Sequence, residues 1–181
     1  MPDSAKSRAA EISSYSKFDT LRDGRRLEVR ALRTEDRVGM LEFVGRMSEQ
    51  SRYYRFFTPK STFTEREIAY FMNVDFVNHV ALVAVLEEGG QPVIVGGGRY
   101  IVSQPGTAEL AFAVDDAHQG RGIASALIRH LAAIARAAGL DGLHAEVLDA
   151  NAPMLKVFGK SGLAMSTERR QGVVHVALRL H

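Results

Sequence analysis

Residues 114–125 form the segment whose residue types and spacing most directly suggest ligand binding. Their sequence, Val-Asp-Asp-Ala-His-Gln-Gly-Arg-Gly-Ile-Ala-Ser, lies between a predicted strand and a predicted long helix. Gly120 and Gly122 have no Cβ, so the chain can turn tightly and a ligand can approach the backbone. The amides of the first helical turn have no intrahelical partners and lie at the positive end of the helix dipole. This combination predicts a site for an anion such as pyrophosphate, to which Arg121 adds a charge-assisted contact. A short glycine pattern is weak evidence by itself, so a loop that binds nothing is the alternative.

Glu109 is the candidate proton acceptor. It lies in a strand predicted over 107–114, in which side chains alternate between the two faces of a sheet. One face is apolar and consists of Leu110, Phe112 and Val114. The other face consists of Glu109, Ala111 and Ala113. A carboxylate beside two small residues leaves room for a substrate, which suits a general base. The alternative is a solvated glutamate at the end of a strand.

Other polar residues near these segments are weaker candidates. His144 and Glu146 share a strand face and could supply the base, although such pairs are more often structural. His118 could contact a phosphate or be an exposed loop residue. Asp115 and Asp116 could suggest a metal, but a pair of carboxylates before a helix is more often a helix-start motif. We therefore predict no metal site.

Composition limits the class of protein. The chain has 181 residues, 46% hydrophobic and 24% charged, which suits one domain with a real core. The net charge is +2 and no basic tract occurs, so we expect no nucleic-acid partner. The absence of cysteine excludes disulfides, thiolate metal sites and a cysteine nucleophile. No apolar run approaches the roughly 20 residues of a membrane span, and residues 1–15 lack the apolar core of a secretory signal. We expect a cytoplasmic protein without a membrane partner.

The predicted elements place the candidate residues on a mixed sheet. Residues 1–17 are predicted to form a flexible tail, and 18–181 a single domain. Strands are predicted over 27–32, 80–86, 93–102, 107–114, 143–148, 163–169 and 173–180. The first helix is predicted to begin after Thr34, which can cap it, and a second helix is predicted through 51–57. Thr64 and Glu67 are predicted to form a capping box at the start of a helix over 65–72. Further helices are predicted over 123–138 and 152–161. One helix connects strands 107–114 and 143–148, so these two strands should be parallel neighbours in an otherwise antiparallel sheet. The fold class is α/β, with helices on both faces.

Several motifs resemble one superfamily. Gln119-x-x-Gly122-x-Ala124 matches the Q/R-x-x-G-x-G/A signature of the GNAT acyltransferases. Segments 108–114 and 143–148 resemble that family's fourth and fifth strands, and 151–163 resembles its asparagine-to-glycine motif. Residues 21–24 and 51–57 are similar to the acetyltransferase domains of bacterial Pat-type protein-lysine acetyltransferases.

The resemblance implies a GNAT-like N-acetyltransferase domain over 18–181 that uses acetyl-CoA as cosubstrate. It assigns Glu109 as general base, with direct transfer of the acetyl group. It implies that the cosubstrate contacts Phe112, Ala113, Val114, Gln119, Gly120, Arg121, Gly122, Ile123, Ala124, Ser125 and Asn151. For Asn151, capping of the following helix is an equal alternative. Phe158 occupies a position where many members have a tyrosine acid, so no acid residue is predicted.

The acceptor implied by the closer resemblance is a protein lysine, such as one on an acyl-CoA synthetase. Two alternatives stay open. The first is a small-amine acetyltransferase acting on a polyamine, an amino acid or an aminoglycoside. The second is a non-catalytic sensor that binds acyl-CoA without turnover. The protein is expected to be a monomer or a homodimer.

Overall fold

The structure, a computed structural model, describes residues 2–181 and contains one eight-stranded sheet with helices packed on it. The strands are β1 Ser16–Thr20, β2 Arg26–Ala31, β3 His79–Glu88, β4 Gln91–Gln104, β5 Thr107–Val114, β6 Gly142–Leu148, β7 Ala164–Arg170 and β8 Val173–Arg179. The helices are α1 Pro2–Ser13, α2 Arg37–Arg46, α3 Glu49–Phe56, α4 Glu65–Met72, α5 Ile123–Ala137 and α6 Ala152–Gly159. Short 3₁₀ turns cover Thr34–Asp36 and Asp116–His118.

The sheet confirms the predicted topology. Its strand order is β1-β2-β3-β4-β5-β6-β8-β7. All neighbouring strands are antiparallel except β5 and β6, which α5 connects as the predicted βαβ unit. The predicted mixed, mostly antiparallel α/β fold is therefore correct.

Each face of the sheet buries its own apolar cluster. On one face, Leu127 and Leu131 of α5 pack with Leu82 and Phe112 of the strands. On the other face, Phe43 of α2 packs with a different set of sheet residues. That set consists of Leu32, Ala81, Val83, Val85, Ile94 and Ala113. The residues of β5 thus alternate between the two clusters, and Glu109 lies on the face of α2, as the strand period predicts.

The three consecutive glycines of β4 have a packing role. A Cβ added to Gly98 would lie 2.9 Å from Leu131 Cδ1, and one added to Gly96 would lie 3.1 Å from Ile123 Cγ2. Both lie under α5, so the missing side chains allow this helix to approach the sheet closely. Gly97 points to the opposite face, where a Cβ would be 3.7 Å from Met40 Cε.

The N-terminal segment differs from the prediction of a loosely ordered tail over residues 1–17. Met1 lies outside the described residues, Pro2–Ser13 is helical, and β1 begins at Ser16. Ile12 anchors α1 because its side chain is buried in the main cluster. The segment is polar apart from that anchor, and β1 is mostly exposed. A hydrophobic period could therefore not reveal either element. The boundary between a tail and the domain at residue 18 stays a prediction.

The entry into α2 also differs from the prediction that Thr34 caps this helix. Thr34 belongs to a 3₁₀ turn, and α2 begins at Arg37. The buried Asp36 accepts two hydrogen bonds of 2.8 Å from Arg30 and one of 2.7 Å from the Arg33 amide. These bonds hold the turn before α2 in place. The helical spacing of apolar residues could not predict them, because Arg30 lies on the preceding strand β2. By contrast, the predicted capping box of Thr64 and Glu67 at the start of α4 is confirmed.

Candidate active site

The sheet opens between β5 and β6, at the centre of the candidate site. These strands pair only over Thr107–Glu109 and Gly142–His144, whereas β5 stays paired with β4 as far as Val114. Beyond Glu109 the two parallel strands therefore separate. Such a departure from pairing has no signature in the residue pattern of either strand.

The opening leaves backbone groups of β5 without a strand partner. The Asp115 amide donates to Val95 O at 3.0 Å. This bond determines which amides of β5 point toward β4. Because hydrogen bonding alternates along an antiparallel pair, the amides of Phe112 and Val114 face the opening. The sequence also predicted Ala113 as a contact of the cosubstrate, but the Ala113 amide faces β4 instead. The free donors are therefore those of Phe112 and Val114.

The glycine loop has the geometry of an anion site at the start of α5. Gly120 and Gly122 have φ values of +76° and +93°, which favour glycine. Gly122 precedes the helix without a side-chain cap, and the first backbone bond runs from Ala126 N to Gly122 O. The amides of residues 123–125 thus have no helical acceptor. A Cβ on either glycine would meet nothing within 4 Å, so the space above the loop is open.

Gln119 and Arg121 are both tied to neighbouring segments. The Gln119 side chain donates to Val114 O at 3.1 Å and to Ser51 Oγ at 3.3 Å. Gln119 therefore fixes the loop between β5 and α3. Arg121 lies 3.4 Å from the Asp23 carboxylate and remains partly exposed beside the loop.

Helix α3 crosses the opening in the sheet. At one end, Asp116 accepts hydrogen bonds of 2.8 Å from the amide and hydroxyl of Ser48 and one of 3.0 Å from Ser51. Desolvation opposes the ionisation of Asp116, but these donors outweigh it and hold its pKa below the usual range. Farther along the helix, the Tyr54 hydroxyl donates to Ala150 O, after β6, at 3.3 Å. The helix therefore links both sides of the opening.

His118 is buried, contrary to the expectation of an exposed loop histidine. Its Nδ1 bonds to Asp115, and its Nε2 lies 2.6 Å from Glu88. Asp115 is also buried and accepts from Arg46 at 3.3 Å. Both ring nitrogens of His118 are thus occupied, so the cluster holds the turn after β5 in place. Asp115 precedes and Asp116 begins the 3₁₀ turn Asp116–His118, although the Asp115 side chain makes no capping hydrogen bond there.

Glu109 is exposed, and its carboxylate makes no hydrogen bond or salt bridge within residues 2–181. It shares a sheet face with Ala111 and Ala113, which line an apolar pocket between the sheet and α2, α3 and α4. The other lining residues include Phe43, Phe56, Phe63, Phe71, Gly97 and three arginines, Arg37, Arg55 and Arg99. The arrangement places a free carboxylate beside a cleft, as a general base requires.

Two of the pocket's three arginines, Arg55 and Arg99, are not among the site residues predicted from the sequence, although Arg55 lies in the segment 51–57 that resembles Pat-type enzymes. Burial lowers the pKa of Arg55 to about 10, while the charge of Glu109 favours its ionised form. Burial also lowers the pKa of Arg99 to about 9, and the charge of Arg55 adds to this effect. Both remain cationic at neutral pH. The available signal was a lone arginine in an apolar strand, at Arg99.

The alternative bases His144 and Glu146 already have partners. His144 Nε2 lies 2.8 Å from Ser103 Oγ, and Glu146 lies 3.4 Å from His175 Nδ1. His144 is next to Glu109 across the short parallel pairing, on the same face. Of the three candidate bases, Glu109 is therefore the one without a hydrogen bond or salt bridge within residues 2–181.

Asn151 and Phe158 have structural roles. Asn151 Oδ1 accepts from the Met154 amide at 3.3 Å and caps α6, the alternative foreseen for this residue. Phe158 is only 1% exposed, and its ring centroid lies 5.3 Å from that of Phe112. Phe158 therefore packs in the core behind β5 and offers no proton.

Within residues 2–181, no group of three or more His, Asp or Glu side chains could hold a metal ion. No helix in the same range is long and apolar enough to cross a membrane.

Comparison with known proteins identifies the family. Residues 22–163 match the acetyltransferase (GNAT) family. An acetyltransferase of Pseudomonas aeruginosa is 32% identical over 137 residues, which cover 75% of this chain and 74% of that protein. The acetyltransferase Pat of Mycolicibacterium smegmatis is 32% identical over 126 residues, which cover 68% of this chain and 36% of the longer Pat protein. The crystal structure of the GNAT domain of S. lividans PAT superposes with a TM-score of 0.82 at 36% identity, covering 91% of this chain and 96% of that one. The chain therefore belongs to the GNAT acetyltransferase family and is an acyltransferase whose cosubstrate is acetyl-CoA.

Proposed function

We propose that this enzyme transfers the acetyl group of acetyl-CoA directly to the ε-amine of a protein lysine, with Glu109 as general base. The observation that carries the proposal is the position of Glu109. Its carboxylate is exposed, is free of partners within residues 2–181, and shares β5 with the unpaired amides of Phe112 and Val114. The base and the donors for the thioester thus come from one rigid strand.

The cosubstrate would bind along the opening. Its pyrophosphate would accept hydrogen bonds from the amides of residues 123–125, with Arg121 adding charge. The pantetheine arm would continue past Val114 and Phe112, on the edge of β5 that lacks a strand partner. Asn151 is occupied as the cap of α6, so we assign it a role in shaping the far side of the opening.

The need for a base follows from the acceptor. A lysine has a pKa of about 10.4, so at pH 7 only about one amine in a few thousand is neutral. Glu109 would accept the proton as the amine nitrogen bonds to the thioester carbon. The amides of Phe112 and Val114 would stabilise the negative oxygen of the tetrahedral intermediate. The C–S bond then breaks, which leaves an amide and the thiolate of CoA.

No residue is assigned as acid for the departing thiolate. Phe158 has no proton to give and is buried. A thiol pKa of about 8.5 makes departure as thiolate tolerable, with water as the eventual proton source. The chain also has no cysteine, so no thiol is present to form an acyl-enzyme intermediate. The absence of a cysteine favours direct transfer.

The choice of a protein lysine rests on the likeness of 21–24 and 51–57 to Pat-type enzymes and on the match to two Pat proteins. The site also has exposed aromatic residues near its rim, Tyr53 on α3 and Tyr70 on α4. Such residues suit contact with a protein surface. An acyl-CoA synthetase with a reactive lysine is the first acceptor to test.

One assay tests the proposal. The purified protein is incubated with acetyl-CoA and an acyl-CoA synthetase, a polyamine, an amino acid or an aminoglycoside, and free thiol is measured. We expect thiol release with the synthetase, matched by acetylated lysine in mass spectrometry. Release only with small amines would overturn the protein-lysine assignment. Binding of acetyl-CoA without release for any acceptor would support a sensor instead.

A further inference from the structure

Arg99 is a buried cation in the apolar pocket beside Glu109, and no carboxylate of residues 2–181 forms a salt bridge with it. It is 7% exposed and lies on β4, directly opposite Ala111 of β5. Its Nη1 donates to Phe71 O and to His79 Nε2, each at 2.9 Å. Its guanidinium also lies 5.0 Å from the centre of the Phe71 ring. All of these partners are neutral groups, because burial and the charge of Arg99 lower the pKa of His79 to about 4.

Arg55 adds a second positive charge to the same pocket. Its side chain is half-buried on α3, and within residues 2–181 its guanidinium makes no hydrogen bond or salt bridge. Its described contact is with the ring of the adjacent Phe56, 4.9 Å away. Its guanidinium is close enough to that of Arg99 for its charge to lower the pKa of Arg99 further. Glu109 is the carboxylate that acts on Arg55.

The neighbouring acidic groups are already engaged elsewhere. Glu65 pairs with Arg37 at 2.9 Å, and Glu67 pairs with Lys60 at 2.5 Å. Asp36 is bound by Arg30. Asp75 accepts from the amides of residues 77–79. Arg37 lines the pocket as well, but it is paired with Glu65. Among the described residues, Arg55 and Arg99 thus face one unpaired carboxylate, that of Glu109 beside the pocket, which leaves an excess of one positive charge among aromatic and aliphatic side chains.

An uncompensated buried charge is costly unless a counter-ion reaches it. We propose that this pocket receives a carboxylate carried by one of the two reacting substrates, held by Arg55 and Arg99 against an apolar wall. The inference rests on the proposed function in taking Glu109 as the reaction centre. It goes beyond that function in the substrates, because neither an acetyl group nor a lysine side chain of a protein carries such a carboxylate. The carboxylate keeps its charge throughout, and the bonds formed and broken are those of the transfer itself.

Two sources can supply this group. The first is the acyl chain of a dicarboxylic acyl-CoA, because Ala111 and Ala113 line the pocket and belong to the strand that would hold the thioester. The second is the α-carboxylate of an amino-acid acceptor, because Glu109 lies on the same sheet face as Ala111, which is directly opposite Arg99. Either source would bring a carboxylate to the guanidinium groups of Arg55 and Arg99.

The experiment compares two pairs of ligands that differ only in the carboxylate. Succinyl-CoA is compared with butyryl-CoA, and free lysine with cadaverine on the CoA-saturated protein, by calorimetry. A charge-assisted contact corresponds to roughly tenfold or more in affinity. We expect that preference for the carboxylate in one pair, and the pair identifies the source. Because binding is measured, the outcome does not depend on turnover and is distinguishable from failure of the lysine-acetylation assay.

Variants assign the preference to the pocket. Arg55→Met keeps the volume of the side chain and removes no hydrogen bond within residues 2–181, so the preference should fall to about threefold or less. Arg66→Met, at an exposed position of α4 outside the pocket, is the matched control and should keep the parental preference. Equal affinities within both pairs would overturn the inference. So would a preference that survives in Arg55→Met or is lost equally in Arg66→Met.

Discussion

Glu109 differs from the other acidic residues near the site because its carboxylate makes no hydrogen bond or salt bridge within residues 2–181. Glu146 faces His175, Asp115 is buried between Arg46 and His118, and Asp116 is held by two serines. A carboxylate that must accept a proton during each turnover is best left free in the resting enzyme. The sequence could predict the strand and the face of Glu109, but not the absence of its partners.

Gly122 tests the anion site at the scale of one residue. Gly122→Asp would place a negative charge where the pyrophosphate is expected. Calorimetry should show the affinity for acetyl-CoA falling well over tenfold, which is about 1.4 kcal/mol or more. Gly122→Ala is the control, because it shares the strain of φ +93° and adds no charge. A Cβ here meets nothing within 4 Å, so packing is not disturbed. Equal affinities of the aspartate and alanine variants would contradict the site.

His79 predicts a pH dependence of stability. Burial, with the charge of Arg99, lowers its pKa from 6.5 to about 4, although Asp75 opposes the shift. Between pH 6.5 and about 4, the His79 side chain is therefore protonated in the unfolded chain but neutral in the folded protein. Above pH 6.5, His79 therefore does not reduce the free energy of unfolding. As the pH falls from 6.5 toward 4, its titration lowers the free energy of unfolding by about 1.4 kcal/mol per pH unit.

The measurement is denaturant unfolding at several pH values between 7.5 and 5. His79→Gln keeps an acceptor for Arg99 but cannot titrate, so its free energy of unfolding should fall less steeply over this range. Carboxylates with lowered pKa values, such as Asp36 and Asp75, act at lower pH in both proteins. Parallel curves for the parent and the variant would show that His79 is not the titrating group.

At the scale of elements, the glycines of β4 set the distance between α5 and the sheet. A Cβ at Gly98 would lie 2.9 Å from Leu131 Cδ1 and 3.3 Å from Phe112 Cβ. Gly98→Ala should therefore destabilise the fold by about 1–3 kcal/mol, the usual cost of overpacking. Gly97→Ala is the matched control on the neighbouring residue, with its nearest contact at 3.7 Å. Urea unfolding measures both, and a Gly98 variant as stable as the Gly97 variant would refute the packing argument.

Element boundaries show where sequence reasoning succeeds. The strand predicted over 107–114 agrees with β5, and the capping box predicts the start of α4. These signals are local, since they depend on alternation or on residues three apart. β1 and α1 were missed because the residues that anchor them, such as Ile12, find their partners far along the chain.

At the scale of the whole molecule, the same contrast applies to the site. The glycine loop and Glu109 were visible because their residue types are informative. The opening between β5 and β6 and the pocket with Arg55 and Arg99 arise from the arrangement of three helices over the sheet. The spacing of residues within one segment of the sequence does not reveal that arrangement. The role of His118 likewise depends on Glu88, 30 residues away.

The opening itself predicts a pattern of hydrogen exchange. In the free protein, the amides of Phe112 and Val114 should exchange faster than those of Ala111 and Ala113, which bond to β4. Acetyl-CoA should slow the exchange of Phe112 and Val114 because the cosubstrate supplies acceptors along this edge. NMR exchange rates with and without the cosubstrate test the prediction. Protection of all four amides in the free protein would show that the edge is closed.

The most direct test of the mechanism is the pH profile of kcat for Glu109→Gln, measured by thiol release with a lysine acceptor. Glutamine keeps the size of the side chain but cannot accept the proton. At neutral pH, kcat should fall by roughly 10²-fold or more, while the affinity for acetyl-CoA stays nearly unchanged. The deficit should shrink as the pH rises toward the lysine pKa, because the amine is then neutral without help. A glutamine variant that matches the parent from pH 6 to 9 would contradict Glu109 as the base.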